Sequence, residues 1–295
     1  MPCVPVLGRR TSSRRYSSVL EVERDGVRIT LTRREGSGRP LLIVPGVMAD
    51  AAAWQPVVDA LQVAGPVYVL NRRGRRPSGE LGADYSVRTE IDDLDRVLEE
   101  IITAEGAQGG LDLFGWSFGG LVALEAAARR SVAVHSLTLY EPVVRPFSRH
   151  VLPALWEADR AGDLDRAVEI VNRDVSGFSE EYVAELRRSA VWDVLKRLAV
   201  PLARELTALD QHHADLRELG QLDVPVTLLL GGENDGVPPY GDAFATFASA
   251  LPRARVVTMP GQGHLAHAQD PEGLARHIEQ ALPVRRDAEA RLPQP

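Results

Sequence analysis

The sequence predicts an α/β fold with a mostly parallel central sheet covered by helices on both faces. Three observations carry that prediction. An antiparallel hairpin signal near the start gives way to short apolar runs alternating with helical periodicities, the rhythm of strands joined by crossovers. Gly115-Trp116-Ser117-Phe118-Gly119 joins one apolar run, Leu111 to Phe114, directly to the helix-forming stretch Leu121 to Ala128. The composition, 44% hydrophobic and 25% charged over 295 residues, is that of a globular chain able to bury a large core.

Each element has a local reason. Residues 1–18 are rich in Ser and Arg and free of acids, which reads as a disordered tail. A transit peptide has a similar composition, and a secretion signal needs a longer apolar core than Val4 to Leu7. Val19 to Glu23 and Val27 to Arg33 flank Asp25-Gly26, a two-residue hairpin turn. Leu41 to Val44 is a short buried strand that stops at Pro45-Gly46. Ala51 to Val63 is expected to be helical and Val67 to Leu70 to be the next strand. Ser86 to Ala104 places Ile91, Leu94, Val97, Leu98 and Ile101 at three-and-four spacing, an amphipathic helix. After the Ser117 strand and helix come strands at Leu137 to Tyr140, Val224 to Leu230 and Arg255 to Met259. Between Pro146 and Gly220 only helical patterns occur, as in Leu164, Val168 and Val171. The expected organisation is a core of residues 19–145 and 221–284, a helical cap or lid of residues 146–220, and a frayed tail over 285–295.

Composition also narrows the function classes. A net charge of -7 argues against general nucleic-acid affinity. Cys3 is the only cysteine, so no internal disulfide and no cysteine-based metal site can form. No apolar stretch approaches the ~20 residues of a membrane span. Lys196 is the only lysine, a bias we read as high-GC coding of the actinobacterial kind. No Gly-x-Gly-x-x-Gly opens a helix after the first strand, so no nucleotide cofactor is expected. His212 and His213 stand together without a matching carboxylate or cysteine pattern and read as solvated helix residues, so no metal is expected. The expectation is a cytoplasmic monomer or homodimer acting on a small molecule.

The chemistry starts at Ser117. A strand, a glycine-flanked turn and a helix would throw its hydroxyl out at a sharp corner. Serine needs a base to take its proton, and the base needs an acid to hold its tautomer. The strand ending at Leu230 runs into Gly231-Gly232-Glu233-Asn234-Asp235-Gly236, and the last strand runs into Pro260-Gly261-Gln262-Gly263-His264. Both loops would lie at the carboxyl edge of the sheet, with Ser117. Asp235 is the expected acid because Asn234-Asp235-Gly236 is a turn able to aim a carboxylate. Glu233 and Glu141 are the alternatives, and His267 is the competitor to His264.

In these motifs the chain resembles the α/β-hydrolase superfamily of the lid-bearing type, with Gly-x-Ser-x-Gly, Gly-x-x-Asp and Gly-x-Gly-His, from Pro40 to Leu282. The resemblance implies the α/β-hydrolase fold, Ser117 as nucleophile, Asp235 as acid and His264 as base. It implies an oxyanion hole built from the backbone N–H groups of Phe118 and Val47. Two departures from the family's pattern stand out. Pro45-Gly46 replaces the usual His-Gly, and Asn71-Arg72-Arg73-Gly74 replaces Asp-x-Arg-Gly. Arg73 is expected to bond loop carbonyls, and Arg75 or Arg76 is a candidate to meet an anionic substrate group. Trp116, Glu141, Trp156 and Trp192 are further candidate substrate contacts, with Trp54, Phe147 and Phe178 as pocket aromatics. The implied activity is hydrolysis of an ester, thioester, lactone or activated amide through an acyl-enzyme. The alternative is elimination, cyclisation or acyl transfer in natural-product tailoring, with Ser117 and His264 as a base pair. A non-catalytic binding protein is the third reading, and the complete set of Ser, acid and His speaks against it.

Overall fold

The protein was analysed as a computed structural model, which describes residues 16–129 and 133–283. The hairpin signal folds as expected. β1 (Tyr16–Arg24) pairs antiparallel with β2 (Val27–Arg34), and Asp25 and Gly26 between them both take positive φ. β1 begins at Tyr16, so residues 16–18 belong to a strand and not to a tail. The remainder of the expected N-terminal tail, and the tail over 285–295, lie outside the described residues.

Six more strands follow: β3 (Leu41–Val44), β4 (Val67–Asn71), β5 (Leu111–Trp116), β6 (Val134–Tyr140), β7 (Val226–Gly231) and β8 (Arg255–Met259). They complete an eight-stranded sheet of order β1-β2-β4-β3-β5-β6-β7-β8. β2 meets β4 antiparallel, and every later pairing is parallel. All the strands from β3 to β8 therefore end at one edge of the sheet, which collects the loops that follow them.

Between strands run α1 (Gln55–Ala60), α2 (Val87–Glu105) and α3 (Phe118–Arg129). The single helix expected over Ala51 to Val63 is instead a 3₁₀ turn, Ala52–Trp54, running into a short α1. α2 has clear stops: Ser86 and Thr89 form a capping box, and Gly106 ends the helix at φ 60°. The stretch between β6 and β7 holds α4 (Leu152–Ala161), α5 (Leu164–Ile170), a π-turn at Val171–Val175, α6 (Glu180–Arg188), α7 (Val191–Ala199), α8 (Leu202–Gln211) and α9 (Leu216–Leu219). α10 (Tyr240–Ala250) follows β7, and α11 (Ala266–Gln269) and α12 (Pro271–Ala281) follow β8.

The period-2 alternation of strand side chains splits the core into two layers. Leu42, Val44, Tyr68, Leu70 and Leu113 face the layer containing α2, α3 and the inserted helices. Leu41, Ile43, Val67, Val69 and Phe114 face the opposite layer, filled by Trp54, α1 and α12. Strands buried on both faces explain the continuous apolar runs of the sequence.

Candidate active site

Ser117 occupies the corner between β5 and α3 at φ 55°, the strained turn that the pentapeptide implied. Its own N–H bonds Tyr140 O at 3.0 Å, tying the corner to the end of β6. The flanking glycines are required by contact. A β-carbon on Gly115 would lie 2.7 Å from Gly119 O, and one on Gly119 would lie 2.3 Å from Val44 O. Gly46 is equally tight, because a β-carbon there would sit 2.8 Å from Ser117 Cβ. The loop after β3 thus closes directly on the serine. The N–H groups of Gly120 and Leu121 already bond Ser117 O. That leaves the Phe118 N–H at the helix start, where no intrahelical acceptor exists.

His264 is held by three elements. Its Nδ1 lies 2.6 Å from Glu141 Oε2, and because a carboxylate only accepts, Nδ1 carries the proton and Nε2 is left as the acceptor. Its ring stacks on Tyr240, 3.7 Å away and nearly parallel at 14°, and also packs against Trp116, 4.9 Å away and tilted by 34°. Its carbonyl accepts the Trp116 Nε1–H at 3.0 Å. The Tyr140 hydroxyl donates to Gly263 O, pinning the same loop. Burial raises the Tyr240 phenol, so the ring facing the imidazole stays neutral.

The carboxylate beside His264 corrects the sequence reading. Asp235 was expected there, but it is exposed in the turn after β7. Glu141, the alternative, is 0% exposed. It takes up φ 42° at the end of β6, and its N–H bonds Leu229 O at 3.0 Å. Its Oε1 accepts the Gly231 N–H at 2.8 Å, and Asn234 Nδ2 donates to both carboxylate oxygens at 2.9 and 3.0 Å. The β7 turn therefore holds the Glu141 carboxylate through a backbone amide and Asn234. The local signal for Glu141 was Glu141-Pro142 directly after a strand.

The arginines also differ from expectation. Arg75 is buried, not open to a substrate: its Nη2 bonds Glu205 Oε2 at 2.7 Å and its Nε bonds Ala49 O at 3.2 Å. Arg73, expected to hold loop carbonyls, instead pairs through two bonds with Asp93 and reaches only Leu81 O. The residue that holds the loop after β3 is Arg72, which was missed. It donates from Nε to Pro45 O and from Nη2 to Gly46 O, both at 2.9 Å. Glu90 and Glu205 accept from it at 2.7 Å each. Burial raises Glu90, with Arg72 opposing. Burial would raise Glu205 too, but Arg75 and Arg72 outweigh it and hold it below the usual carboxylate range. Arg76 is exposed on the same loop.

The tryptophans pack. Trp116 is 3% exposed and lies against Trp54, His264 and His267. Trp192 is buried between α5 and Arg187, with its indole N–H on Asp165. Trp156 is half-buried and donates to Thr207 Oγ1 at 2.9 Å. His267 stacks on Trp54 at 5.0 Å, and burial drives it down to about 3 from 6.5, with His264 adding to the shift. His212 pairs with Glu125, and His213 meets Arg145. Among the described residues no group of three metal-ligating side chains is present. No helix among them is long and apolar enough to cross a membrane.

A cleft of about 500 Å³ opens among the segments that follow β6 and β7, and Ser117, Glu141 and His264 are not among its lining residues. Val144, Arg145 and Pro146 line it after β6, Asp174 and Val175 on the π-turn, and Pro239 and Asp242 around the start of α10.

Comparison with known proteins agrees with this architecture. The model of the alpha/beta hydrolase family matches residues 41–277. The chain is 27% identical over 249 residues to the pimeloyl-(acyl-carrier protein) methyl ester esterase of Nitrosomonas europaea, covering 80% of this chain and 93% of that protein. Among solved structures, an alpha/beta hydrolase from Sphaerobacter thermophilus superposes with a TM-score of 0.70 at 26% identity, covering 89% of this chain and 99% of that one. The enol-lactonase from Burkholderia xenovorans LB400 shares the fold with a TM-score of 0.71 at 19% identity, over 89% of this chain and 99% of that one.

Proposed function

Because the chain belongs to the α/β-hydrolase family and is an enzyme of that fold, we propose that it is a serine hydrolase of carboxylic esters, thioesters, lactones or activated amides. The observation that carries this reading is the buried Glu141–His264 pair, set on the same sheet edge as a serine held in a strained corner. In this reading His264 Nε2 takes the Ser117 proton as Oγ attacks the substrate carbonyl. The carbonyl oxygen becomes an oxyanion and is met by the Val47 and Phe118 N–H groups. Glu141 stabilises the imidazolium that forms, and the neutral face of Tyr240 lies over it. His264 then returns the proton to the leaving group. A water activated by the same nitrogen releases the acyl group from Ser117.

The helices of residues 146–220 are read as a lid over this edge. An ester substrate is in keeping with a relative named as a methyl ester esterase. The non-hydrolytic alternative drew support from Pro45 and Asn71, and both have structural duties. Pro45 O is held by Arg72, while Asn71 accepts the Ala51 N–H and donates to Thr30. The test is labelling with a fluorophosphonate followed by mass localisation, together with turnover of p-nitrophenyl esters. The expected result is an adduct on Ser117 and hydrolysis that disappears in Ser117→Ala. Wild-type turnover in that variant overturns the reading.

A further inference from the structure

The loop that meets the serine has proline at position 45, and its backbone must be aimed. Arg72 supplies the aim. Its Nη2 bonds Gly46 O, and Gly46 C=O and Val47 N–H belong to one planar trans peptide. Anchoring the oxygen on one side fixes the N–H pointing the opposite way. A charged donor on the carbonyl also polarises the amide and strengthens its N–H as a donor. The adjoining peptide is held in the same manner through Nε on Pro45 O. The guanidinium carbon lies 4.9 Å from the centre of the Phe118 ring, so one cation meets the carbonyl of the Gly46–Val47 peptide and the Phe118 side chain. Arg72 is itself fixed at 0% side-chain exposure by Glu90 on α2 and by Glu205 on α8. Glu205 bridges onward to Arg75, which holds Ala49 O further along the same loop.

We propose that Arg72 and Glu205 are positioning residues that set and polarise the Gly46–Val47 peptide, so that the inserted helix α8 helps to shape the oxyanion hole. The proposal deepens the hydrolase reading above and rests on it. A guanidinium fork can serve two carbonyls and two carboxylates at once, and a lysine ammonium, a single point donor, cannot. A carboxamide at position 205 keeps the shape but has one acceptor oxygen in place of two, so either Arg72 or Arg75 loses its acceptor and both lose the negative charge.

The experiment compares wild type, Glu205→Gln and Arg72→Lys. Active sites are first counted with a fluorophosphonate, and kcat and KM for p-nitrophenyl butyrate are then expressed per titrated site. Inhibition by a trifluoromethyl ketone, whose Ser117 hemiketal places an oxyanion in the hole, is the second readout. The expected result is a kcat per site lowered ~10- to 100-fold, less than the loss of a whole donor. KM should change by less than about threefold, and the ketone Ki should rise in step with the fall in kcat/KM. Fewer titratable sites with unchanged kcat per site would mean a merely structural role and overturn the proposal. Failure of both variants to give any titratable enzyme would overturn it too, marking the network as a folding element. Absence of a Ser117 adduct in the wild type would instead sink the hydrolase reading, before any variant is compared.

Discussion

At the scale of single residues, chemistry turns on which carboxylate faces His264. Glu141 makes that contact from full burial, and Asp235 lies exposed after β7. Glu141→Gln should therefore lower kcat by roughly 10²–10⁴ through loss of tautomer control, whereas Asp235→Asn should stay within about twofold of wild type. Steady-state kinetics on an activated ester checks both, and a reversed ranking would return the acid role to the β7 turn. The sequence reading put the carboxylate after β7, whereas the one bonded to His264 follows the neighbouring strand β6. β6 and β7 are adjacent and parallel, so the turns after them converge on the same imidazole. Side-chain reach and the direction of the Glu141 backbone separate the two candidates, and neither is written in local sequence.

At the scale of elements, the loop after β3 and the β5–α3 corner act as one piece. Gly46 faces Ser117 so closely that an added methyl group would meet Ser117 Cβ at 2.8 Å. Gly46→Ala must push the loop off the serine, and with it the Val47 N–H. Turnover should fall by at least about tenfold, since oxyanion donors act over only a few tenths of an ångström. A variant with normal Tm and normal kcat would show that the loop does not serve the oxyanion. α2 offers a separate stability test. Ser86 accepts the Thr89 N–H in the capping box, so Ser86→Ala should cost about 1 kcal/mol, read as a shift in the urea midpoint with kcat unchanged. The amphipathic run of α2 was legible in the sequence, with Ser86 read as its first residue where the structure makes it the cap. The role of Arg72 was not, because its four partners come from Pro45, Gly46, Glu90 and Glu205, three different stretches of chain.

At the scale of the whole molecule, His267 couples the fold to pH. It lies in the layer between the sheet, Trp54 and Trp116, and is driven down to about 3 from 6.5, chiefly by burial. The native state keeps it neutral, while the unfolded chain takes up a proton below about pH 6.5. Its contribution is therefore complete above that pH and is lost progressively as pH falls towards 3, at roughly 1.4 kcal/mol per pH unit. His267→Phe keeps a flat ring on Trp54 and removes the proton uptake. Between about pH 6.5 and 4.5 the variant should lose less stability than wild type, since every other titrating group is common to both. Parallel pH slopes in urea denaturation would refute the assignment.

The sequence by itself determined the strand order in time, the hairpin start, the parallel sheet, the serine corner and the histidine after the last strand. These rest on local rules: two-residue alternation, three-and-four spacing, and turns that only small residues can make. The tertiary structure alone decided that Glu141 holds the imidazole, that Arg72 and Arg75 are buried braces, and that the candidate tryptophans pack within the fold. Those outcomes depend on which side chains meet across strands and across the inserted helices. A buried charge settles only where its partners converge in space, and that convergence is a property of the folded chain.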